Sequence, residues 1–406
     1  MIDGIATLDD YNFTGKTVLL RLDLNTPINP KTGEFLEDRR MRSHLPTLQE
    51  LSDKKARIVC MAHQGRAGES DFTTLEKHAE HLSELLGTKV TYVEDIFGPT
   101  ARTAIKNMAD GEIILLDNVR IYSEEEIERP ADVHSTSLLV KNLAPLADYF
   151  VNDAFGTAHR SHASTVGFTP VLPSAAGRLM ESEIRALSDV LKSPKRPLVF
   201  VLGGAKVKDS MKIILKALDG GVDKILVGGV LANVFLAAKD YRLGEPSIEF
   251  IRGKKLVDQI DVAKNLLEKY SDKIVLPLDI AIDKNGERVE MPLSQLPQDW
   301  KIVDVGKQTI GNFKRAVISA GTVFFNGALG IYETPAFAYG TEEIIKSMAE
   351  AKCYSVIGGG DTVAAARNLN VEDKINHVST GGKASIDYLA GVKMSAIEAL
   401  KVAKKG

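Results

Sequence analysis

The chain contains little cysteine and has no long apolar run. Cys60 and Cys353 are its only cysteines among 406 residues. Two such distant cysteines exclude a disulfide framework and a zinc site, and they indicate buried thiols in a reducing compartment. No stretch has the roughly 20 consecutive apolar residues that span a bilayer, and the N-terminus lacks the apolar core of a signal peptide. We therefore expect a cytoplasmic protein that has no membrane partner.

An excess of charge of one sign is also absent. The chain carries 51 Lys and Arg against 54 Asp and Glu, a formal net charge of -3, which gives no reason to expect nucleic acid as a partner. Local basic clusters in such a chain indicate a small anionic ligand. The length exceeds what one ordinary core supports and predicts two domains. We expect a monomer or a homodimer.

The two standard nucleotide-binding motifs are missing as well. Gly382-Lys383 is followed by Ala384, so the Walker pattern fails, and no three glycines have the dinucleotide spacing. Both a P-loop enzyme and a Rossmann-type cofactor enzyme are disfavoured.

Short apolar runs alternate with helical patterns along the whole chain. The runs are residues 17–23, 57–63, 112–118, 148–153, 197–204, 224–228, 273–279, 322–327, 353–360 and 377–381. Several are apolar on both faces, as parallel strands covered by helices must be. The alternation predicts α/β architecture with parallel sheets. A domain boundary is expected near Gly177-Arg178, with the following helix as connector.

In the first half, polar side chains follow nearly every predicted strand. Because ligands of parallel sheets bind beyond the carboxyl ends of the strands, these side chains are expected to converge on one cleft. They are Arg21, His63, Arg66, Arg120, His159, Arg160 and His162. So many cations repel one another unless an anion neutralises them. For the segment 152–165 alone, a solvated loop is the alternative.

In the second half, the loops after the apolar runs are rich in glycine. They contain Gly203-Gly204, Gly228-Gly229, Asn326-Gly327, Gly358-Gly359-Gly360 and Gly381-Gly382. Loops without side chains that lead into helices let backbone N–H groups approach phosphates. Lys206 is either a surface lysine or a contact for phosphate. Asp361 either caps a helix or holds Mg²⁺.

Other charged residues have ordinary interpretations. His44, His78, His81 and His134 lack partners of matching spacing and are expected to be surface or core histidines. The run Glu124–Glu126 is expected to form the first turn of a helix.

With these motifs in order, the chain resembles the phosphoglycerate kinase family over essentially its whole length. The motifs are RLDLNTP (21–27), DRRMRSHLPT (38–47), HQGR (63–66), LLDNVRIYSEE (115–125), NDAFGTAHRSHAST (152–165), GGAKVKDS (203–210), GGV (228–230), NGALGIYE (326–333), GGGDT (358–362) and STGGKAS (379–385). The resemblance implies two Rossmann-like three-layer domains joined by a helical hinge. These would be a phosphoglycerate-binding domain (1–177), a nucleotide-binding domain (178–385) and a C-terminal helix (386–406) that returns to the first domain.

The resemblance also implies site residues and a reaction. The phosphoglycerate site would comprise Arg21, Asp23, Asn25, Arg40, His63, Arg66, Arg120, His159, Arg160 and His162. The nucleotide site would comprise Gly203, Gly204, Lys206, Gly228, Asn326, Glu333, Gly358, Gly359, Gly360, Asp361 and Thr362. Arg40, Lys206, Gly381 and Gly382 would be catalytic, and Asp361 would hold Mg²⁺. The implied reaction is reversible phosphoryl transfer from 1,3-bisphosphoglycerate to MgADP, giving 3-phosphoglycerate and MgATP.

Several positions depart from the usual family pattern. They are Ala67 for proline, Ser210 for a second lysine, Phe325 for tryptophan, Ala328-Leu329 for Pro-Met, and Lys383 for a third glycine. Lys208 or Lys212 would take the place of the missing lysine. These variants resemble the archaeal branch of the family.

The implied chemistry needs no general base, because a carboxylate and the terminal phosphate of ADP are both ionised near neutral pH. Catalysis would consist of alignment and charge stabilisation, with domain closure excluding water. Two alternatives remain, a dinucleotide-dependent oxidoreductase acting on a phosphorylated acid and a non-catalytic anion-binding protein. NADH titration tests the first, and an assay with 3-phosphoglycerate and MgATP tests the second.

Overall fold

The structure, a computed structural model, describes residues 1–404, which divide into two compact units. The first unit comprises residues 1–185 together with the chain from residue 393, and the second comprises residues 186–392. Both boundaries lie later than the sequence-based expectation of 177/178 and 385/386. The first boundary falls inside one continuous helix. The second follows Val392, whose N–H donates to the Asp387 carbonyl of the preceding helix.

The first unit is built on a six-stranded parallel sheet with helices along the connections. Its strands are β1 (Thr17–Arg21), β2 (Arg57–Met61), β3 (Val90–Val93), β4 (Ile113–Leu116), β5 (Tyr149–Asn152) and β6 (Ser174–Ala176). Its helices are α1 (Arg39–Ser43), α2 (Leu45–Asp53), α3 (Glu76–Leu86), α4 (Pro99–Lys106), α5 (Ala131–His134), α6 (Leu138–Leu143), α7 (Ala163–Val166) and α8 (Arg178–Lys192). The strand order is β3-β4-β2-β1-β5-β6.

Strand β1 shows why the apolar runs have no polar face. Val18 and Leu20 pack into a core on one side of the sheet, and Leu19 packs into a separate core on the other side. All three are fully buried. Because β1 is paired in parallel with β2 on one edge and β5 on the other, its carboxyl end lies beside theirs. The sheet therefore brings the residues after these three strands together.

The second unit repeats this architecture with a second six-stranded parallel sheet. Its strands are β7 (Leu198–Leu202), β8 (Lys224–Val227), β9 (Ile274–Val275), β13 (Thr322–Asn326), β14 (Tyr354–Gly358) and β15 (His377–Val378), in the order β15-β14-β13-β7-β8-β9. Its helices are α9 (Val207–Asp219), α10 (Gly229–Ala238), α11 (Glu245–Gly253), α12 (Asp258–Tyr270), α13 (Lys307–Ile318), α14 (Tyr339–Glu350), α15 (Gly360–Asn368) and α16 (Lys383–Leu389). The predicted α/β class with two parallel sheets is confirmed.

A small antiparallel sheet in the second unit was not predicted. It contains β10 (Asp279–Lys284), β11 (Glu287–Pro292) and β12 (Ile302–Val305). The expected single strand over residues 273–279 is wrong. Pro277 and the exposed Leu278 follow β9, and the chain then enters β10 in the other sheet.

The last helix belongs to the first unit. α17 (Ser395–Lys401) packs against α7 and β6. The N–H of Ala396 donates to the carbonyl of Ala158 at 2.9 Å. No helix among residues 1–404 combines the length and the apolarity that a bilayer crossing requires.

Asp279 connects the small sheet to the start of α13. Its carboxylate accepts hydrogen bonds from the Gln308 and Thr309 N–H groups at 3.0 and 2.8 Å, and from the Thr309 hydroxyl at 2.6 Å. We expect Asp279→Ala to lower the free energy of unfolding by about 2 kcal/mol, because the buried N–H and hydroxyl of Thr309 lose their acceptor. Urea unfolding, with exposed Asp219→Ala as control, measures this. Equal midpoints for the two variants would contradict it.

Candidate active site

Arg21, at the carboxyl end of β1, is a buried guanidinium whose donors are mostly satisfied by the protein. Its side chain is 1% exposed. Nε donates to the Ser164 hydroxyl at 2.7 Å, one terminal nitrogen donates to the Leu22 carbonyl, and the other lies 3.1 Å from Nδ1 of His63. Burial lowers the pKa of Arg21, and the charges of Glu125 and Asp23 act in the opposite direction.

Asp23 and Arg40 form an ion pair beside this guanidinium. The Arg40 terminal nitrogen donates to Oδ2 of Asp23 at 2.8 Å, and Arg40 remains about one-third exposed. Burial acts to raise the pKa of Asp23, but Arg40, His63 and Arg21 hold it well below its usual value. Gly156 leaves room for this pair, because a Cβ there would overlap the carboxylate of Asp23. Arg42, two residues along α1, pairs with Asp38 instead.

Gly65, in the loop after β2, forms hydrogen bonds with residues that follow β1 and β4. Asn25 accepts the Gly65 N–H at 2.8 Å, and the Arg120 guanidinium donates to the Gly65 carbonyl. Arg120 is buried, and its Nε lies 3.1 Å from Glu126. Burial lowers the pKa of Arg120 to about 10, and the nearby charges of Arg21, Arg160 and Arg66 add to this effect. Arg66 itself is exposed.

The loop after β5 places His162 against a buried carboxylate. Glu125, which is 0% exposed, accepts the Ser164 N–H at 2.9 Å and the Ser164 hydroxyl at 2.6 Å. Its Oε1 lies 4.0 Å from Arg21 and 3.9 Å from Nδ1 of His162. Burial raises the pKa of Glu125, and Arg21 and the Ser164 hydrogen bonds oppose it. His159 and Arg160, on the same loop, are half-buried.

Two histidines of this site, His63 and His162, have lowered pKa values. Burial, followed by the charge of Arg21, keeps the pKa of His63 well below its ordinary value. Burial and then Arg160 lower the pKa of His162 to about 3. Because several guanidiniums depress these pKa values, the site has an excess of positive potential that an anion would relieve.

In the second unit, the backbone at the ends of β7 and β13 comes into close contact. The Gly203 N–H donates to the Asn326 carbonyl at 3.0 Å, and the Gly204 N–H donates to the Ala328 carbonyl at 2.7 Å. A Cβ on Gly203 would overlap the Ala328 carbonyl, and one on Gly228 would overlap Leu329. Gly203 and Gly228 must therefore be glycine, because neighbouring atoms of the loop after β13 lie too close to leave room for a Cβ.

The glycines after β14 form a second part of this edge. Gly359 has φ +84°, and a Cβ there would lie 2.9 Å from Oδ1 of Asn326. The Thr362 hydroxyl accepts the Gly327 N–H at 2.9 Å, which connects α15 to the loop after β13. Gly358 ends β14, and Gly360 begins α15.

Asp361, in the first turn of α15, lies near another carboxylate. Partial burial and the charge of Glu333 raise the pKa of Asp361, and Lys206 acts to lower it. Lys206 itself is exposed and immediately precedes α9. The charges of Glu333 and Lys206 therefore both act on the carboxylate of Asp361.

A cavity of about 230 Å³ opens beside these loops. Glycine backbone and carboxylates line one part, and apolar side chains line the rest. Its lining includes Gly204, Gly229, Leu236, Phe250, Glu333 and Asp361. An apolar pocket with a few polar groups at one end is typical of a nucleoside site.

The loop before α16 contains Gly381 and Gly382, with φ +53° at Gly382. Lys383 does not extend freely, because its Nζ lies 3.0 Å from Asp387 one turn later. Ser210 is buried in α9. Lys208 pairs with Asp258 at 3.3 Å, and Lys212 lies 3.9 Å from Asp209.

Comparisons with known proteins agree on one family. The sequence model described as phosphoglycerate kinase matches residues 8–392. The chain is 48% identical over 396 residues to phosphoglycerate kinase of Methanothermobacter thermautotrophicus, covering 97% of this chain and 96% of that protein. It is 48% identical over 402 residues to phosphoglycerate kinase of Methanosarcina mazei, covering 98% and 96%. The crystal structure of phosphoglycerate kinase from Pyrococcus horikoshii superimposes with a TM-score of 0.90 at 40% identity, covering 98% of this chain and 99% of that one.

The chain belongs to the phosphoglycerate kinase family. It falls in the archaeal branch, as its sequence variants predicted. It is an enzyme of the phosphotransferase class, and its reaction is the glycolytic transfer of a phosphoryl group between 1,3-bisphosphoglycerate and ADP.

Two features of this phosphoglycerate kinase site were missed in the sequence. The expected helical turn at Glu124–Glu126 is wrong, because a 3₁₀ turn ends at Ile121 and Glu125 is fully buried against Arg21 and His162. His44 is a core histidine, as expected, but it contacts Asp23. A carboxylate in a polar loop and a histidine between two helices give no local signal of such partners.

The depressed pKa of His162 predicts how stability depends on pH. The unfolded state binds a proton below about 6.5, whereas the folded state resists it down to about 3. Acidification from pH 7 to pH 5 should therefore destabilise the fold, with up to about 1.4 kcal/mol per pH unit from one such group. We expect His162→Gln to show a shallower loss in urea unfolding. An unchanged slope would mean that His162 does not contribute to it.

Proposed function

We propose that the first unit binds phosphoglycerate through the cations at the strand ends and that the second unit binds the nucleotide through its glycine loops. The buried, predominantly positive cluster of Arg21, His63, Arg120 and His162 supports the first assignment. An anion with one phosphate and one carboxylate would neutralise it. Arg66 and Arg160 are accessible enough to contact the phosphate directly.

Arg21 has a different role from Arg66 in this proposal. Its Nε and both terminal nitrogens already contact Ser164, Leu22 and His63. It therefore supplies positive potential and fixes the neighbouring side chains more than it supplies free donors. Asp23 orients Arg40, and the neutral His63 and His162 are available as hydrogen-bonding groups without a change of charge.

Catalysis then rests on charge stabilisation of an in-line transfer. Both nucleophiles, the carboxylate and the ADP phosphate, are ionised at neutral pH, so no proton is removed. Arg40, partly exposed and held by Asp23, would contact the transferring phosphoryl group. Lys206 and the N–H groups near Gly381 and Gly382 would add positive charge at the nucleotide phosphates.

The nucleoside would occupy the cavity of the second unit. The apolar side chains Leu236 and Phe250 supply contacts for a base, and Glu333 would accept from ribose hydroxyls. Asn326 and Thr362 would hold the loops that approach the phosphates. Gly204 and Gly359, both with positive φ, keep this approach free of side chains.

A magnesium ion fits the carboxylate of Asp361. Partial burial, followed by repulsion from Glu333, raises its pKa, and a divalent cation would relieve the repulsion between the two carboxylates. Residues 1–404 contain no cluster of three potential ligands, and Mg²⁺ needs only one or two carboxylates when phosphate oxygens and water complete its octahedron. When bound, the ion would neutralise nucleotide oxygens.

We also propose a cytoplasmic monomer or homodimer that uses neither nucleic acid nor membrane. Cys60 and Cys353 are free and buried, and this supports a reducing compartment.

The role of Arg40 can be tested by comparing it with Arg42, a second arginine of α1. Arg40→Ala should lower kcat by about a hundredfold, comparable to the loss of one preorganised donor, with a smaller change in KM for 3-phosphoglycerate. A coupled assay with 3-phosphoglycerate and MgATP measures both constants. Arg42→Ala is the matched control, because Arg42 is exposed and pairs with Asp38. Wild-type kcat in Arg40→Ala would remove Arg40 from the chemistry.

The metal role of Asp361 can be tested by binding alone. Asp361→Asn keeps the shape but removes the charge, so Mg²⁺ should strengthen ADP binding about tenfold less than in the wild type. Calorimetric titration of ADP with and without Mg²⁺ measures this difference. Asp373→Asn, an exposed site in the same unit, serves as control. An equal effect of Mg²⁺ in all three proteins would place the ion elsewhere.

A further inference from the structure

His44 lies between α1, which carries Arg40, and α2, and it is fully buried. Its Nδ1 is 2.8 Å from Oδ2 of Asp153, and its Nε2 lies against the backbone of Asp23, 3.1 Å from the nitrogen and 3.2 Å from the carbonyl oxygen. Asp153 is also fully buried. Because a carboxylate only accepts, the shared proton resides on Nδ1 of His44. Nε2 then presents a lone pair to the N–H of Asp23.

Asp153 is fixed by several other contacts. Its Oδ1 accepts the Leu179 and Met180 N–H groups at 2.9 and 3.2 Å, in the first turn of α8. Its own N–H donates to the Arg21 carbonyl at 2.9 Å. Gly177 packs against it so closely that a Cβ would overlap the carboxylate. Asp153 is therefore a rigid acceptor that sets the tautomer and the ring orientation of His44.

Asp23 is the other end of this chain of contacts. Its N–H is held by His44, and its carboxylate receives the Arg40 guanidinium at 2.8 Å. Asp23 follows β1 by two residues, in a segment without regular secondary structure. The His44 side chain therefore holds the backbone of Asp23, and this sets the position of the carboxylate that pairs with Arg40.

We propose that His44 is a positioning residue for the transfer reaction. The pair His44–Asp153 holds the backbone of Asp23, and Asp23 in turn aligns Arg40. This inference rests on the proposed role of Arg40, and it adds a set of contacts running from the first turn of α8 to the reacting groups. A misplacement of about 1 Å in such an alignment is enough to cost up to a hundredfold in rate.

Three substitutions distinguish the effect of the His44 hydrogen bond to Asp153 from that of the hydrogen bond to Asp23. An asparagine amide occupies the place of Nδ1 and keeps the donor to Asp153, whereas a glutamine amide reaches the place of Nε2 and keeps the acceptor for Asp23. Phenylalanine keeps the volume and loses both. We expect kcat to fall about tenfold in His44→Phe and His44→Asn, and to recover most of the wild-type value in His44→Gln. KM for MgATP should not change.

Thr47→Val is the matched control for a purely structural role. The buried Thr47 hydroxyl accepts the Arg178 N–H at 2.8 Å, so it supports the same turn of α8 without touching Asp23. It should lower the urea midpoint as the His44 variants do but leave kcat unchanged. A loss of kcat in Thr47→Val equal to that in His44→Asn would overturn the proposal. If His44→Phe does not fold, the comparison of His44→Asn with His44→Gln still decides.

A double-mutant cycle tests whether His44 acts through Arg40. In the Arg40→Ala background, His44→Asn should have little further effect on kcat, because the group that it aligns is gone. The same tenfold loss in both backgrounds would refute the inference while leaving Arg40 catalytic. Wild-type kcat in Arg40→Ala itself would instead refute the proposed catalytic role of Arg40, on which the inference rests.

Discussion

The structure depends on burying a guanidinium at the end of a central strand. Arg21 lies where three parallel strands end, and its charge cannot be left unpaired in that environment. Glu125 supplies the opposite charge through Ser164, and the loops after β4 and β5 converge on it as a result. His63 lies beside Arg21 and His162 beside Glu125, and burial is the main cause of the lowered pKa of both histidines. The proposed anion site would therefore arise from the same requirement to pair the buried charge of Arg21.

The two units use the same sheet for different recognition. In the first, side chains extend from the strand ends and carry the charge. In the second, Gly203, Gly228 and Gly359 remove side chains so that neighbouring backbones nearly touch. Backbone donors suit phosphate oxygens in general, whereas a fixed array of guanidiniums and imidazoles suits one small acid. This contrast supports the proposed assignment of nucleotide to the second unit and phosphoglycerate to the first.

The local sequence pattern was enough to predict most of the parallel strands. It did not identify the long-range contacts of individual side chains. Runs apolar on both faces, such as residues 17–21, signalled buried strands, and glycine or charge after them signalled the binding edges. The antiparallel strands at 279–305 were missed because their polar alternation resembles loop sequence. β3 and β6 were also missed, because β3 exposes Thr91 between Val90 and Val93 and β6 consists of one serine and two alanines, so neither is a run of large apolar residues. Glu125 and His44 become meaningful only through partners more than 20 residues away, which no local period reports.

The return of α17 to the first unit affects the order in which the protein can be completed on the ribosome. The second unit is continuous in sequence and precedes α17. The first unit therefore lacks one packing element until the whole second unit has been synthesised, because Ala396 of α17 donates to Ala158 next to His159. The first unit is therefore synthesised first but completes its packing after the second unit. A nascent chain that stops before α17 would leave the loop around Ala158 without this packing partner.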